Sequence, residues 1–120
     1  MAKYVDGFVL AVPKKKLAAY RKLAQTAGKV WRDHGALQYV ECAAEDIKSP
    51  FGVPFGKLTN LKPSETVIFA WIVYKSRAHR DKVNAKVMKD PRITALDHTK
   101  MPFDVSRMTF GGFDVLVEAK

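Results

Sequence analysis

The chain has a single cysteine, Cys42, in 120 residues. No disulfide can form within it, and a reducing cytoplasm is the expected compartment. Histidine is nearly as scarce, and neither His79 nor His98 has a partner at metal-ligand spacing, so neither a metal nor a cofactor is expected. No apolar run is long enough to span a membrane. The start, Met1-Ala2-Lys3, is too polar for a secretory signal, and Pro13-Lys14-Lys15-Lys16 interrupts the following apolar stretch too soon. Acidic residues are few, 12 against 21 lysines and arginines, which leaves a formal charge of +9. That excess raises nucleic acid or an anionic substrate as partners. No binding motif accompanies it, and a solvated basic surface accounts for it equally. Repeats, low-complexity tracts and a second domain are also missing. Residues 1–120 therefore read as one domain, near the size at which association adds useful burial.

What is present centres on Thr66–Tyr74, whose β-branched and aromatic residues predict a strand. Val67, Phe69, Trp71 and Val73 fall on one side of it and Ile68, Ala70, Ile72 and Tyr74 on the other. Both sides are apolar. Helices of so short a chain cover one face, and the second calls for another sheet or subunit. Tyr4–Val12 predicts a first strand, and Pro13 suits the opening turn of a helix. Along that helix Leu17, Tyr20, Leu23, Ala24, Ala27, Val30 and Trp31 share one arc, with Lys15, Arg21, Lys22, Lys29 and Arg32 behind, until His34-Gly35 ends it. Ala36–Ala44 reads as a second strand, and 45–64 as a long connection with room for a short hairpin arm. Ser76 caps a second helix from Arg77 to about Lys89, stopped by Asp90-Pro91. Ile93–Leu96 reads as a helical turn, Lys100–Ser106 as a loop, and Arg107–Glu118 as a last strand, bulged at Gly111-Gly112. The order βαββαβ gives an α+β, ferredoxin-like fold: a four-stranded antiparallel sheet with two helices on one face.

Several ordered blocks carry a family likeness. They are Ala36-Leu37 with Tyr39-Val40-Glu41-Cys42, Phe69 to Tyr74, Ser76-Arg77 with Arg80 to Asn84, Asp90-Pro91-Arg92, and Met101 to Asp104 with Arg107-Met108 and Gly111-Gly112-Phe113. On these the chain resembles the uncharacterised bacterial YbaA-like family. The resemblance implies a dimeric α+β barrel, in which two such subunits pack sheet against sheet, and it brings no known activity. Elsewhere in that superfamily stand cofactor-free monooxygenases, haem-degrading enzymes and small ligand-binding or stress proteins, an analogy at the level of fold.

A pocket between helices and sheet is the expected site. Arg80 and Asn84, one helical turn apart on the buried arc, could grip a carboxylate or enolate, though Arg80 could instead pair with Asp104 or Glu41. His34 could take a proton with Glu41 or Asp104 orienting it, or merely finish its helix. Trp31 and Trp71 line the pocket on this reading, with Asp104 and Arg107 at its rim. Cys42, expected on an inner strand, reads as inert packing. Phe69 and Trp71 stand where base-stacking rings sit in RNA-binding sheets, but Ser64-Glu65-Thr66 lacks the basic lead-in, and dimer or core packing is the better account. The expectation is a homodimer that binds a small anionic or aromatic molecule, with metal-free oxygenase or isomerase-like chemistry open. The rivals are a basic nucleic-acid-associated protein and a structural or stress-related dimer.

Overall fold

A computed structural model describes residues 2–120. Four strands form one antiparallel sheet in the order β2-β3-β1-β4, with β1 at Tyr4–Pro13, β2 at Gln38–Ala43, β3 at Glu65–Tyr74 and β4 at Thr109–Asp114. This is the ferredoxin-like arrangement expected from the order of elements. Strands β1 and β3 are central, and their register pairs Tyr4 with Tyr74, Asp6 with Ile72 and Leu10 with Ile68. Residues i and i+2 share a face, so Tyr4, Asp6, Leu10 and Val12 point the same way as Ile68, Ala70, Ile72 and Tyr74, and all eight are buried.

Two helices cover that face: α1, Leu17–Asp33, and α3, Arg77–Val87. Tyr20 and Val30 are the buried members of the apolar arc on α1, and Val83 and Val87 play that part on α3. Gly35 ends the first crossover at φ +112°, a left-handed conformation that side chains resist. Ser76 caps α3 as expected, its hydroxyl accepting the His79 amide at 3.1 Å. Asp90 does the same for the four-residue α4, Pro91–Thr94, which packs against α1.

Several expectations are corrected. Pro13 closes β1 instead of opening a helix, and a 3-10 turn over Lys14–Lys16 precedes α1. The 45–64 connection carries a helical turn, α2, Phe55–Leu58, instead of a hairpin. β4 is half the expected length, and its register with β1 runs unbroken through Gly111 and Gly112, so no bulge forms. Gly112 serves a different need: a Cβ there would collide with the hydroxyl and ring of Tyr4. β2 is an edge strand, which leaves Cys42 exposed on the far face instead of packed inside.

That far face, opposite the helices, carries Val5, Val9, Val40, Phe69, Trp71 and Phe113. Phe69 is 44% exposed and Phe113 61%. Phe55 of α2 meets Phe69 edge-on at 6.1 Å, so the arm reaches one end of this face.

Candidate functional site

The helices do not close fully onto the sheet. A cleft of about 440 Å³ lies between α1, α3, α4 and the buried face of β1, β2 and β3. Leu23, Ala24 and Ala27 of α1 wall one side, and Phe8 and Leu10 lie on the sheet floor. Met101, Phe103 and Met108, from the segment leading into β4, complete the apolar lining. Volume and character match those of small-molecule sites, an apolar body with a few placed polar groups.

The polar groups form two clusters. In the first, Arg80 of α3 donates from Nη1 to Asp6 Oδ1 at 2.7 Å and from Nε to Asp81 Oδ1 at 2.8 Å, while its guanidinium lies 4.9 Å over the Tyr4 ring. Asn84, one turn on, accepts at Oδ1 from Trp31 Nε1 at 3.0 Å and from the Tyr74 hydroxyl at 3.2 Å. Burial pushes the Asp6 carboxyl above its ordinary range, against the opposing pull of Arg80. In the second cluster Glu41 of β2 is held by two phenols. Tyr39 donates to Oε2 at 2.6 Å, and Tyr20, from α1, donates to Oε1. Burial, reinforced by the neighbouring Glu41 charge, holds both tyrosine hydroxyls protonated well above the usual range. Trp31 stands 6.1 Å from the Tyr39 ring, and Phe103 meets Tyr20 edge-on at 5.6 Å.

Of the residues expected here, Trp31, Arg80 and Asn84 come together, Trp71 borders the cleft from β3 without turning its ring into it, and His34, Asp104 and Arg107 stand elsewhere. His34 lies outside the cleft, its Nε2 2.8 Å from Asp90 Oδ2. Asp90 also takes Arg92, which reaches Asp33, so His34 belongs to a clasp between the end of α1 and α4. Asp104 is an exposed cap on Ser106, and Arg107 clamps Glu65 through both carboxylate oxygens, at 2.7 and 3.0 Å. Trp71 turns its ring to the far face, where its Nε1 donates to Gln38 at 3.0 Å and Phe69 lies 5.6 Å away. Arg80 is not free to grip an anion, because Asp6 and Asp81 already neutralise it; the anticipated partners Asp104 and Glu41 are not its own.

Asp6, Tyr20 and Tyr39 went unseen as site residues, and Glu41 was considered only as a partner for His34 or Arg80. Asp6 had a signal, a carboxylate at a core position of an alternating strand. The Tyr20–Glu41–Tyr39 cluster had none, since α1 and β2 meet only through the fold. Among the described residues no group of three or more His, Cys, Asp or Glu is arranged to hold a metal ion, and no helix is long and apolar enough to cross a membrane.

The sequence has close relatives. It is 42% identical over 116 residues to the uncharacterized protein YbaA of Escherichia coli K12, covering 97% of this chain and 98% of that one, and it matches YbaA of Shigella flexneri to the same extent. A solved structure described as a dimeric ferredoxin-like protein, from an uncultured marine organism, is similar with a TM-score of 0.57 at 15% identity, covering 99% of this chain and all of that one. At that identity the likeness speaks for the fold alone. Residues 3–105 match the family described as "Protein of unknown function (DUF1428)", and with end-to-end similarity to YbaA beside that match, the chain belongs to the DUF1428 family.

Proposed function

We propose that the protein is a homodimer, joined through the far sheet face, that holds a small, mostly apolar organic molecule in the cleft of each subunit. The observation that carries this reading is the apolar-lined cleft itself. Its polar side chains satisfy one another, yet about 440 Å³ of apolar-lined space remains. An apolar-lined cleft of this size between helices and sheet, carrying a few placed polar groups, has the form of a small-molecule site. The dimer part rests on Phe69 and Phe113, exposed on the face that also carries the half-buried Trp71, and on the description of the marine ferredoxin-like protein as dimeric. The neutralised Arg80 argues for an aromatic or aliphatic ligand over the anionic one considered from sequence. Binding is the function claimed, and no reaction is assigned. The basic back of α1 stays available for phosphates, but Phe69 and Trp71 stand on the face given to the partner and not on a base-stacking platform.

The test is calorimetric titration with 2-naphthol, an aromatic body bearing one hydroxyl, against the wild type and Ala27→Trp. Ala27 lines the cleft on α1, and an indole there would occupy the space. The expected result is saturable binding to the wild type and at least about tenfold weaker binding to the variant, with the fold still cooperative. Equal affinity in both proteins would place the ligand elsewhere.

A further inference from the structure

Four carboxylates in this chain are not exposed: Asp6, Glu41, Glu65 and Asp90. Three have an arginine beside them, Arg80 for Asp6, Arg107 for Glu65 and Arg92 for Asp90. Glu41 has no cation within ion-pair distance among the described residues, although 21 lysines and arginines are available in the sequence. A partly buried carboxylate is ordinarily matched by a positive charge, because leaving water costs it several times more than it costs a neutral group. What Glu41 has instead is two hydroxyl donors, one on each oxygen, which fix its orientation. Each oxygen retains a second lone pair.

The surroundings suit a cation. Among the cleft-lining residues Asp6 and Glu41 are negative and Arg80 is positive, with that arginine already shared between Asp6 and Asp81. The cleft is therefore acidic within a chain whose formal charge is +9. Tyr20 and Tyr39 flank Glu41, Phe103 and Trp31 pack against those two rings, and the faces of such rings attract ammonium groups. Tyr20, Ala24, Tyr39 and Glu41 also line a second groove between α1 and β2, where Arg21, Lys29 and Arg32 stand. Those cations disfavour approach from that side and leave the aromatic cleft as the way in for a positive group.

We infer that Glu41, held between Tyr20 and Tyr39, is the recognition site for an organic ammonium group whose apolar body fills the cleft. Glu41 supplies the counter-charge, the rings shield it from water, and the apolar wall formed by Leu23, Ala27 and Met108 takes the hydrocarbon. This rests on the cleft-binding reading above and adds the charge of the ligand to it.

Three probes of matched shape decide it: 2-phenylethylamine, 2-phenylethanol and 3-phenylpropionate, titrated calorimetrically at neutral pH. The wild type is expected to bind the amine about tenfold or more tighter than the alcohol, with the carboxylate weakest. Glu41→Gln keeps the side-chain length and a hydrogen-bonding oxygen but removes the charge. It is expected to cancel the advantage of the amine over the alcohol. A carboxylate that binds best, or an amine preference that survives Glu41→Gln, overturns the ammonium site while the cleft reading stands. If none of the three binds the wild type, the cleft reading falls with it. The ranking in the unaltered protein settles the charge question even if the variant does not fold.

Discussion

Gly28 shows how closely single residues are fitted around the candidate site. It lies in the interior of α1, where alanine is worth about 1 kcal/mol more than glycine to the helix. A Cβ at this position would stand 2.8 Å from Cδ1 and 3.0 Å from Cε1 of Tyr39, the ring whose hydroxyl holds Glu41. Overpacking of that kind costs about 1–3 kcal/mol, so the clash outweighs the helical gain. Gly28→Ala is expected to destabilise the protein by up to about 2 kcal/mol, read from urea midpoints. A rise in stability would mean that Tyr39 has room to move and does not fix Glu41 in place. Such a fit leaves no mark in the sequence. Gly28 falls beside the arc of Leu23, Ala24 and Ala27 and reads as an unremarkable small residue until the fold brings β2 against it.

At the level of elements, the segments were legible and their ends less so. The alternation in β1 and β3 and the arcs of α1 and α3 follow from burial on one side, which the order of side chains records directly. The fate of Arg107 was not legible, because its partner lies 42 residues away, at the start of β3. Arg107 donates to both oxygens of Glu65 and to the carbonyls of Thr59 and Asn60. It thereby ties the lead-in of β4 to the end of the 45–64 connection. The Arg107 hydrogen bonds, followed by the Lys62 amide, lower the Glu65 carboxyl from 4.5 to about 2. The folded value lies below the unfolded one, so this stabilisation is present above about pH 4.5 and is lost as the pH falls towards 2. Glu65→Gln is expected to lower stability at neutral pH and to flatten the acid limb over that window in chemical denaturation. Some slope should remain, because hydrogen bonds from Arg92 and His34 hold Asp90 low as well. Parallel pH profiles for wild type and variant would remove the Glu65–Arg107 clamp from the account.

The whole molecule is organised by the two-sidedness of β3. Its even-numbered residues, Ile68 to Tyr74, disappear under the helices, while Phe69 and Trp71 remain on the far side, joined there by Phe113. The radius of gyration is 15.2 Å, larger than the roughly 14 Å of a compact chain of this length. The difference agrees with an arm whose Phe51 and Val53 stand in solvent and a last segment whose Leu116 is 94% exposed. Two copies joined sheet to sheet would bury the aromatic patch, and the strongest lever on such an interface is a charge at its centre. Asp in place of Trp71 removes the indole, its hydrogen bond to Gln38 and its contact with Phe69, and would bury a carboxylate without a partner in the dimer. It should do little to the helix-covered core, because Trp71 does not point there. Trp71→Asp is therefore expected to sediment as a folded monomer at concentrations where the wild type is expected to sediment as a dimer, still melting cooperatively. A variant dimer of undiminished affinity would show that the far face is not the interface, and Phe69, Trp71 and Phe113 would need another occupant.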